Sequence, residues 1–259
     1  MAKAQNNFVD THSVVRKIWG KADTILLIFA GAAAEFALNK AVDWLYFTGR
    51  LPSDPLGRLF STVAYAREII FSSEEDAHNA IDKMTNIHAA VEHARGRNIP
   101  DEAYRDVLFM LIHYSISAYE TLEHALLKEE KEEVVEVFCR VGQRMGIPGL
   151  PRDYDDWFNM YDDNISIHLV HSKFTDDLFK QYRKHLGLIR FFILIESQKI
   201  VVSQRVRQLL NFGPPLLIRP LLKAYTVSRK IKADQLLKFV LLPSLYKQRI
   251  RMLDFQPGR

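Results

Sequence analysis

The sequence is divided into helix-length segments by signals that start and stop helices. The stretch SDPLGRLFSTVAYAREIIF places Pro55 at a first helical position, directly after a potential cap. The next segment opens with serines and acidic residues and stops at Gly96, as helices commonly do. A third pattern starts at Asp101, and a fourth ends at Gly146. Because the apolar spacing is helical nearly throughout, we predict an all-α fold in a single domain over residues 1–259.

Two segments are less regular. The stretch TILLIFAGAAAEFALNKAVDWLYF is rich in alanine and leucine, so we expect one buried helix there. The stretch NISIHLVHSKF fits a strand as well as a helix. Glu35 interrupts the longest nearly uncharged run, which falls short of the roughly 20 residues that a membrane-spanning helix needs.

The size and the cysteine content restrict the class of protein. A chain of 259 residues can bury one sizeable core, and 48% hydrophobic and 25% charged residues are typical of a globular protein. Cys139 is the only cysteine, so a disulfide framework within the chain is excluded. The polar start MAKAQNNFVDTH lacks the apolar core of a signal peptide. Together these features predict a cytoplasmic protein.

Positive charge is concentrated near the end of the sequence. Residues 201–259 contain 12 lysines and arginines and two acidic residues, whereas residues 1–200 contain 23 basic and 29 acidic residues. We predict basic C-terminal helices, which either form a solvated face on the acidic body or contact an anionic membrane. No zinc-finger spacing or glycine-rich RNA-binding signature accompanies the charge, so no nucleic-acid partner is expected. The apolar membrane contact would lie beside Lys238 and would consist of Leu236, Phe239, Leu241 and Leu242.

Nine histidines require metal chemistry to be considered. A di-iron bundle needs Glu-x-x-His pairs facing inward from two helices, but Thr85 stands three residues before His88 and Met110 three before His113. The sequence contains no His-Glu-x-x-His, Cys-x-x-Cys-His, Gly-x-Ser-x-Gly, P-loop or Gly-x-Gly-x-x-Gly motif. Zincins, c-type haem attachment and the common hydrolase and nucleotide sites are therefore disfavoured. A non-covalent cofactor in a helical core remains, for which a single histidine would suffice.

His88 is the main candidate for such a ligand. It shares a helical stripe with Ile81, Met84 and Val91. An imidazole on an apolar stripe is either a satisfied core histidine or a ligand of iron, and the pattern alone leaves both readings open.

Two further polar positions lie on largely apolar helices. Arg58 and Thr62 share one stripe of the Pro55 helix, and a buried guanidinium there needs an anion. A haem propionate or a glutamate would serve. His113 lies on a narrow polar strip of a later helix, which is either a solvent stripe or the lining of a pocket. Cys139 lacks the surroundings of a haem thiolate and is expected to be a core residue.

Several of these residues lie in motifs that resemble one protein family. The succession DPLGRLFST, NIHAAV, ISAYETL and MGIPGLP, after the helix LLIFAGAAAEFAL, is similar to the haem-dependent oxygenase family of rubber oxygenases (latex clearing proteins) and the mycophenolic-acid-pathway (MpaB-type) oxygenase. The resemblance extends from about residue 26 to residue 151.

The resemblance implies an all-α domain with a globin-like arrangement around one b-type haem. His88, the histidine of the IHAAV motif, would be the proximal iron ligand, and Arg58 and Thr62 would lie beside the haem. His113 would line the pocket. The catalytic candidates are therefore Arg58, Thr62 and His113. Ser61 replaces a lysine of the rubber oxygenases, and their distal acid has no clear counterpart, although Glu35 lies nearby in sequence.

The activity implied by the resemblance is oxidation of a hydrophobic, unsaturated, isoprenoid-like substrate by dioxygen at haem b. Two alternatives remain open from the residues themselves. One is a haem-binding protein without turnover, which serves as a carrier, a sensor or an electron-transfer unit. The other is a structural helical protein whose basic end docks on a membrane.

Overall fold

The computed structural model describes an all-α single domain. It describes residues 6–47, 49 and 53–215, without the side chains of Leu45, Leu56, Arg58 and Leu59. The predicted membrane contact around Lys238 lies outside the described residues. Within the described part, none of the helices is both long enough and apolar enough to cross a membrane. The described helices are α1 (Val14–Trp19), α2 (Ala22–Leu38), α3 (Val42–Phe47), α4 (Pro55–Phe71), α5 (Glu74–Arg95), α6 (Asp101–Leu122), α7 (Lys128–Arg144), α8 (Tyr154–His168), α9 (Lys173–Val201) and α10 (Gln204–Leu209).

The helix pair that carries the candidate site residues is capped where the sequence predicts it. Asp54 accepts a hydrogen bond from the backbone N–H of Gly57 at 2.8 Å, and Pro55 occupies the first turn of α4. Ser73 caps α5, which ends at Gly96 with a φ angle of 66°. Glycine adopts this left-handed conformation at little cost, so it stops the helix without strain. These caps fix both ends of α5 and the start of α4.

The alanine-rich helix α2 packs mainly against α6 and α9. Its small side chains permit a close approach, since a Cβ atom added at Gly31 would lie 2.2 Å from ring carbons of Tyr114. Tyr114 and Trp19 are fully buried, and Nε1 of Trp19 donates to Oγ of Ser115 at 3.1 Å. The core therefore depends on close backbone contacts as well as on large apolar side chains.

The structure corrects one helix boundary and decides an ambiguous one. The alanine-rich segment expected to form one helix breaks after Leu38, and α3 starts at Val42. Asn39 is extended and caps the following turn, because its Oδ1 accepts from the backbone N–H of Ala41 at 2.8 Å. The stretch NISIHLVHSKF is helical as far as His168, and α9 begins after a short break.

Cys139 lies in the main hydrophobic core, as expected. Burial raises the pKa of its thiol to about 11. A thiol that remains protonated is a poor metal ligand. The position of Cys139 therefore agrees with a packing role.

Candidate active site

Two apolar clefts meet inside the domain. Cleft A has a cavity volume of about 180 Å³ between α2, α3, α4, α5, α6 and α9, and cleft B has one of about 370 Å³ between α4, α5, α6 and α7. Ligand pockets commonly measure roughly 300–1,000 Å³, so cleft B lies within this range and cleft A adds a smaller space beside it. Five residues line both clefts, and we call this place the junction: Thr62, His88, Tyr104, Val107 and Leu111.

Aromatic rings from four helices make the lining of cleft A apolar. They are Phe29, Phe36, Trp44, Tyr104 and Tyr182. Small alanine side chains of α2 leave space between the rings. Of the described residues that line either cleft, none is a lysine, an arginine or an acid. Such a lining favours an apolar ligand.

His88 lies on α5 at the junction, half-buried and with its Nδ1 atom buried. Tyr104 packs edge-on against the imidazole, with 5.3 Å between the ring centroids and 75° between the ring planes. The phenol of Tyr104 donates to Oε1 of Glu92 at 3.2 Å, and burial together with Glu92 raises the pKa of that phenol. Oε1 of Glu92 also accepts from the backbone N–H of Ile99 at 2.8 Å. The ring that packs edge-on against His88 from α6 is thus itself held in place by Glu92.

The other residues predicted beside a haem lie on α4. Thr62 lines both clefts, and Ser61 lines cleft B. The structure therefore brings Thr62 and His88 to the same junction. Arg58 lies on α4 one turn before Thr62, but its side chain is outside the described part of the chain.

A site built from several protein ligands is not found among the described residues. In that part of the chain, no group of three or more His, Cys, Asp and Glu side chains could hold a metal ion. The sequence does contain one Glu-x-x-His pair, Glu75 and His78, but the ring of His78 packs against Phe8 at 6.0 Å. Iron in a porphyrin needs only one or two axial protein ligands, so this finding does not bear on His88.

The comparison with protein families identifies the class of enzyme. The model of the family described as "ER-bound oxygenase mpaB/B'/Rubber oxygenase, catalytic domain" matches residues 16–235. The chain belongs to this oxygenase family. The match confirms the resemblance drawn from the short motifs and extends it beyond residues 26–151 at both ends. It includes both clefts, and it makes the chain an enzyme of the oxidoreductase class. No curated protein matches the chain.

In this oxygenase domain, His113 is not among the residues that line either cleft. Its ring stacks on Tyr161, with centroids 4.6 Å apart and planes at 20°, and meets Tyr114 edge-on at 4.8 Å. Burial lowers the pKa of His113 to about 4, so the imidazole is neutral at physiological pH. Its Nε2 atom is buried without a hydrogen-bond partner in the described part of the chain. His113 thus lies on the side of α6 that packs against α8.

Sequence reasoning missed a polar cluster in the oxygenase core. Oε2 of Glu35 accepts hydrogen bonds from the phenols of Tyr161 and Tyr114, at 2.6 and 2.9 Å. All three side chains are buried, and burial raises the pKa of Glu35 to about 7. Glu35 is not among the residues lining either cleft, so its side chain is committed to this cluster. We call Glu35, Tyr114 and Tyr161 the phenol–carboxyl cluster.

A second set of polar contacts continues the polar region toward the end of α8. Asp106 accepts from Nδ2 of Asn39 at 2.8 Å and from Nδ2 of Asn164 at 3.0 Å. Nδ1 of His168 lies 2.8 Å from Oδ2 of the same carboxylate. These contacts tie α2, α6 and α8 together.

The sequence carried only a weak signal for these clusters. Glu35 stands alone in an alanine-rich run, where an acid needs a partner. Its partners Tyr114 and Tyr161 are 79 and 126 residues away along the chain. Helix periodicity cannot pair residues over such separations.

Proposed function

We propose that the chain is a haem b-dependent oxygenase that uses dioxygen to oxidise a hydrophobic, unsaturated, isoprenoid-like molecule. The observation that carries the proposal is His88 at the junction of two apolar clefts in a domain of the oxygenase family. A lone imidazole in an apolar surrounding is what an axial haem ligand needs.

Haem is the cofactor that we propose for the junction. His88 would hold its iron, and Thr62 and Arg58 would help to hold the group. The bound haem would supply the binding and activation of dioxygen. Tyr104, anchored on Glu92, would keep the imidazole plane fixed. The catalytic residues stay open among Arg58, Thr62 and His113, and the position of His113 outside both clefts favours Thr62 and Arg58.

The rings of cleft A would bind and orient the substrate. Phe29, Phe36 and Trp44 present an apolar wall against which a hydrocarbon chain can pack. The described lining holds no charged Lys, Arg, Asp or Glu side chain that an apolar substrate would have to desolvate. These features support an apolar substrate class.

Turnover with isotopic oxygen tests this function. The full chain is loaded with hemin, reduced, and supplied with a polyprenyl hydrocarbon under ¹⁸O₂. We expect ¹⁸O in the organic product for the wild type and for His93→Ala, because His93 is an exposed histidine on the same helix as His88. His88→Ala should give none. Products without isotopic oxygen, or equal products from His88→Ala, would contradict the proposal.

A haem-binding protein without turnover is the second candidate. Ser61 stands where rubber oxygenases carry a lysine, and Glu35 is held in the phenol–carboxyl cluster away from the clefts. Haem binding that depends on His88, combined with no product from a series of unsaturated hydrocarbons, would favour this candidate.

The predictions about location and partners complete the proposal. The expected small-molecule partners are dioxygen and the apolar substrate. Peripheral contact with anionic membrane through residues 201–259 stays a prediction, as does cytoplasmic localisation. Flotation of the full chain with anionic vesicles tests the contact, since electrostatic binding should weaken as salt is added.

A further inference from the structure

A continuous column of aromatic rings runs through the domain beside the phenol–carboxyl cluster. From the inside outward, its centroid distances are 4.8 Å between Tyr114 and His113, 4.6 Å between His113 and Tyr161, and 5.5 Å between Tyr161 and Trp157. Trp157 is followed by Tyr154 at 5.4 Å. Tyr161 and Trp157 are stacked with planes only 15° apart. Each ring touches the next, so the column is unbroken.

The two ends of the column lie in different surroundings. At the inner end, Tyr114 is fully buried and comes one helical turn after Met110 and Leu111, which line cleft A. At the outer end, Tyr154 is only half-buried and begins α8. The column thus begins next to the segment of α6 that lines cleft A, although Tyr114 itself lines neither cleft, and it leads toward the surface.

A proton acceptor is built into the middle of the column. Oε2 of Glu35 lies 2.6 Å from the phenol oxygen of Tyr161 and 2.9 Å from that of Tyr114. A tyrosine loses its phenolic proton when it is oxidised, so a hydrogen-bonded carboxylate makes oxidation easier. If these positions served only packing, phenylalanine in place of the tyrosines and leucine in place of Glu35 would do as well, without the free-energy cost of burying a carboxyl group.

We propose that this column carries oxidising equivalents from the cleft to the surface, with Tyr161 as the redox-active residue and Glu35 as its proton acceptor. The inference rests on the proposed function for the haem, and we take hydrogen peroxide as the oxidant that reacts there. The column would protect the clefts when oxygen chemistry proceeds without substrate.

The step balances as follows. Tyr161 gives one electron to the oxidant, its O–H bond breaks, and the proton moves to the carboxylate of Glu35. An electron then returns to Tyr161 through Trp157 and Tyr154 from a soluble thiol, and the proton returns from Glu35 to the phenol. In sum, the oxidant is reduced by one electron, the thiol is oxidised by one electron, and the thiol proton enters the solvent.

Radical detection in the full chain tests the column in two arms. The first arm adds hydrogen peroxide to the hemin-loaded protein and freezes it for electron paramagnetic resonance. The second arm uses the haem-free protein and a flash-generated ruthenium(III) polypyridyl oxidant. In both arms, mass spectrometry then locates the oxidised side chains. We expect a tyrosyl signal that Tyr161→Phe removes although the ring stack is kept, and that Glu35→Gln weakens.

Tyr46→Phe is the matched control. Tyr46 also donates to a carboxylate, Asp177 at 2.9 Å, but it does not belong to the column. The Tyr46→Phe variant should leave the tyrosyl signal unchanged. The Tyr161→Phe variant should remove that signal and should also speed the bleaching of haem by peroxide. A signal unchanged in Tyr161→Phe, or equally reduced in Tyr46→Phe, would overturn the inference. The haem-free arm tests the redox role of the column even if hemin does not bind. Failure of the column proposal can therefore be distinguished from failure of the proposed haem-dependent function.

Discussion

The two faces of the α2–α6 pair differ sharply in chemistry. One face lines cleft A with apolar residues such as Phe36 and Met110. The other carries Glu35 and Tyr114 in a buried hydrogen bond and Asp106 in a part-buried one. On the polar face these three side chains are paired with each other or with neighbouring side chains. The apolar face borders an open cleft, whereas the polar face is packed against other side chains.

This difference indicates how the domain divides its tasks. Open apolar space lowers stability, because packing contacts are missing there, but it can receive a ligand. The paired polar groups fix α2, α6 and α8 in one arrangement, so the open face keeps its shape. Variants on the polar face should therefore change stability, and variants at the junction should change ligand binding.

The largest effect is expected at the contact between the two helices. In Gly31→Val the new side chain would meet the ring of Tyr114, where a Cβ alone would lie 2.2 Å away. Overpacking typically lowers the free energy of unfolding by about 1–3 kcal/mol and occasionally by more, and the close approach at Gly31 places this variant at the upper end. Urea denaturation measures it. Gly213→Val, in open space, is the control, and an equal loss in both variants would contradict the close contact.

The next effect is a pH dependence that arises from Glu35. Its pKa of about 7 in the folded state lies above the ordinary 4.5, so the folded state binds this proton more tightly than the unfolded state. The stabilisation that comes from protonated Glu35 is fully present below about pH 4.5 and is lost as the pH rises through about 7. The free energy of unfolding should change by up to about 3 kcal/mol over this range. Denaturation of wild type and Glu35→Gln across this range should show a smaller decline in the variant. Identical declines would show that Glu35 is not the group responsible.

Two smaller effects should distinguish the phenol–carboxyl cluster from the junction. Tyr114→Phe removes a buried hydrogen bond and should lower the free energy of unfolding by about 1–3 kcal/mol while hemin affinity stays unchanged. Tyr104→Phe removes the anchor of the ring against His88 and should weaken hemin binding by roughly tenfold with little change in stability. The opposite assignment of the two effects would break the proposed division of tasks.

Much of the fold could be predicted from local sequence signals. Pro55, Ser73 and Gly96 mark helix ends that the structure confirms, because caps depend only on neighbouring residues. The break at Asn39 was missed, since its side-chain contact with Asp106 joins residues that are distant in sequence.

In the candidate site, too, local sequence signals could be interpreted, whereas contacts between distant residues could not be predicted. Thr62 and His88 line the same junction, while the roles at a haem that the family resemblance implies for them stay predictions. The stack of His113 on Tyr161 and the bonds to Glu35 depend on how α2, α6 and α8 meet, which helix periodicity does not specify.

Titration of the purified full chain with hemin, followed by absorption spectroscopy, shows whether His88 holds a haem. We predict a sharp Soret band for the wild type and for His93→Ala, its loss in His88→Gly, and its return when free imidazole fills the space left in His88→Gly. A Soret band of equal intensity and position in His88→Gly without imidazole, or no band with the wild type, would contradict the assignment of His88 as the axial ligand.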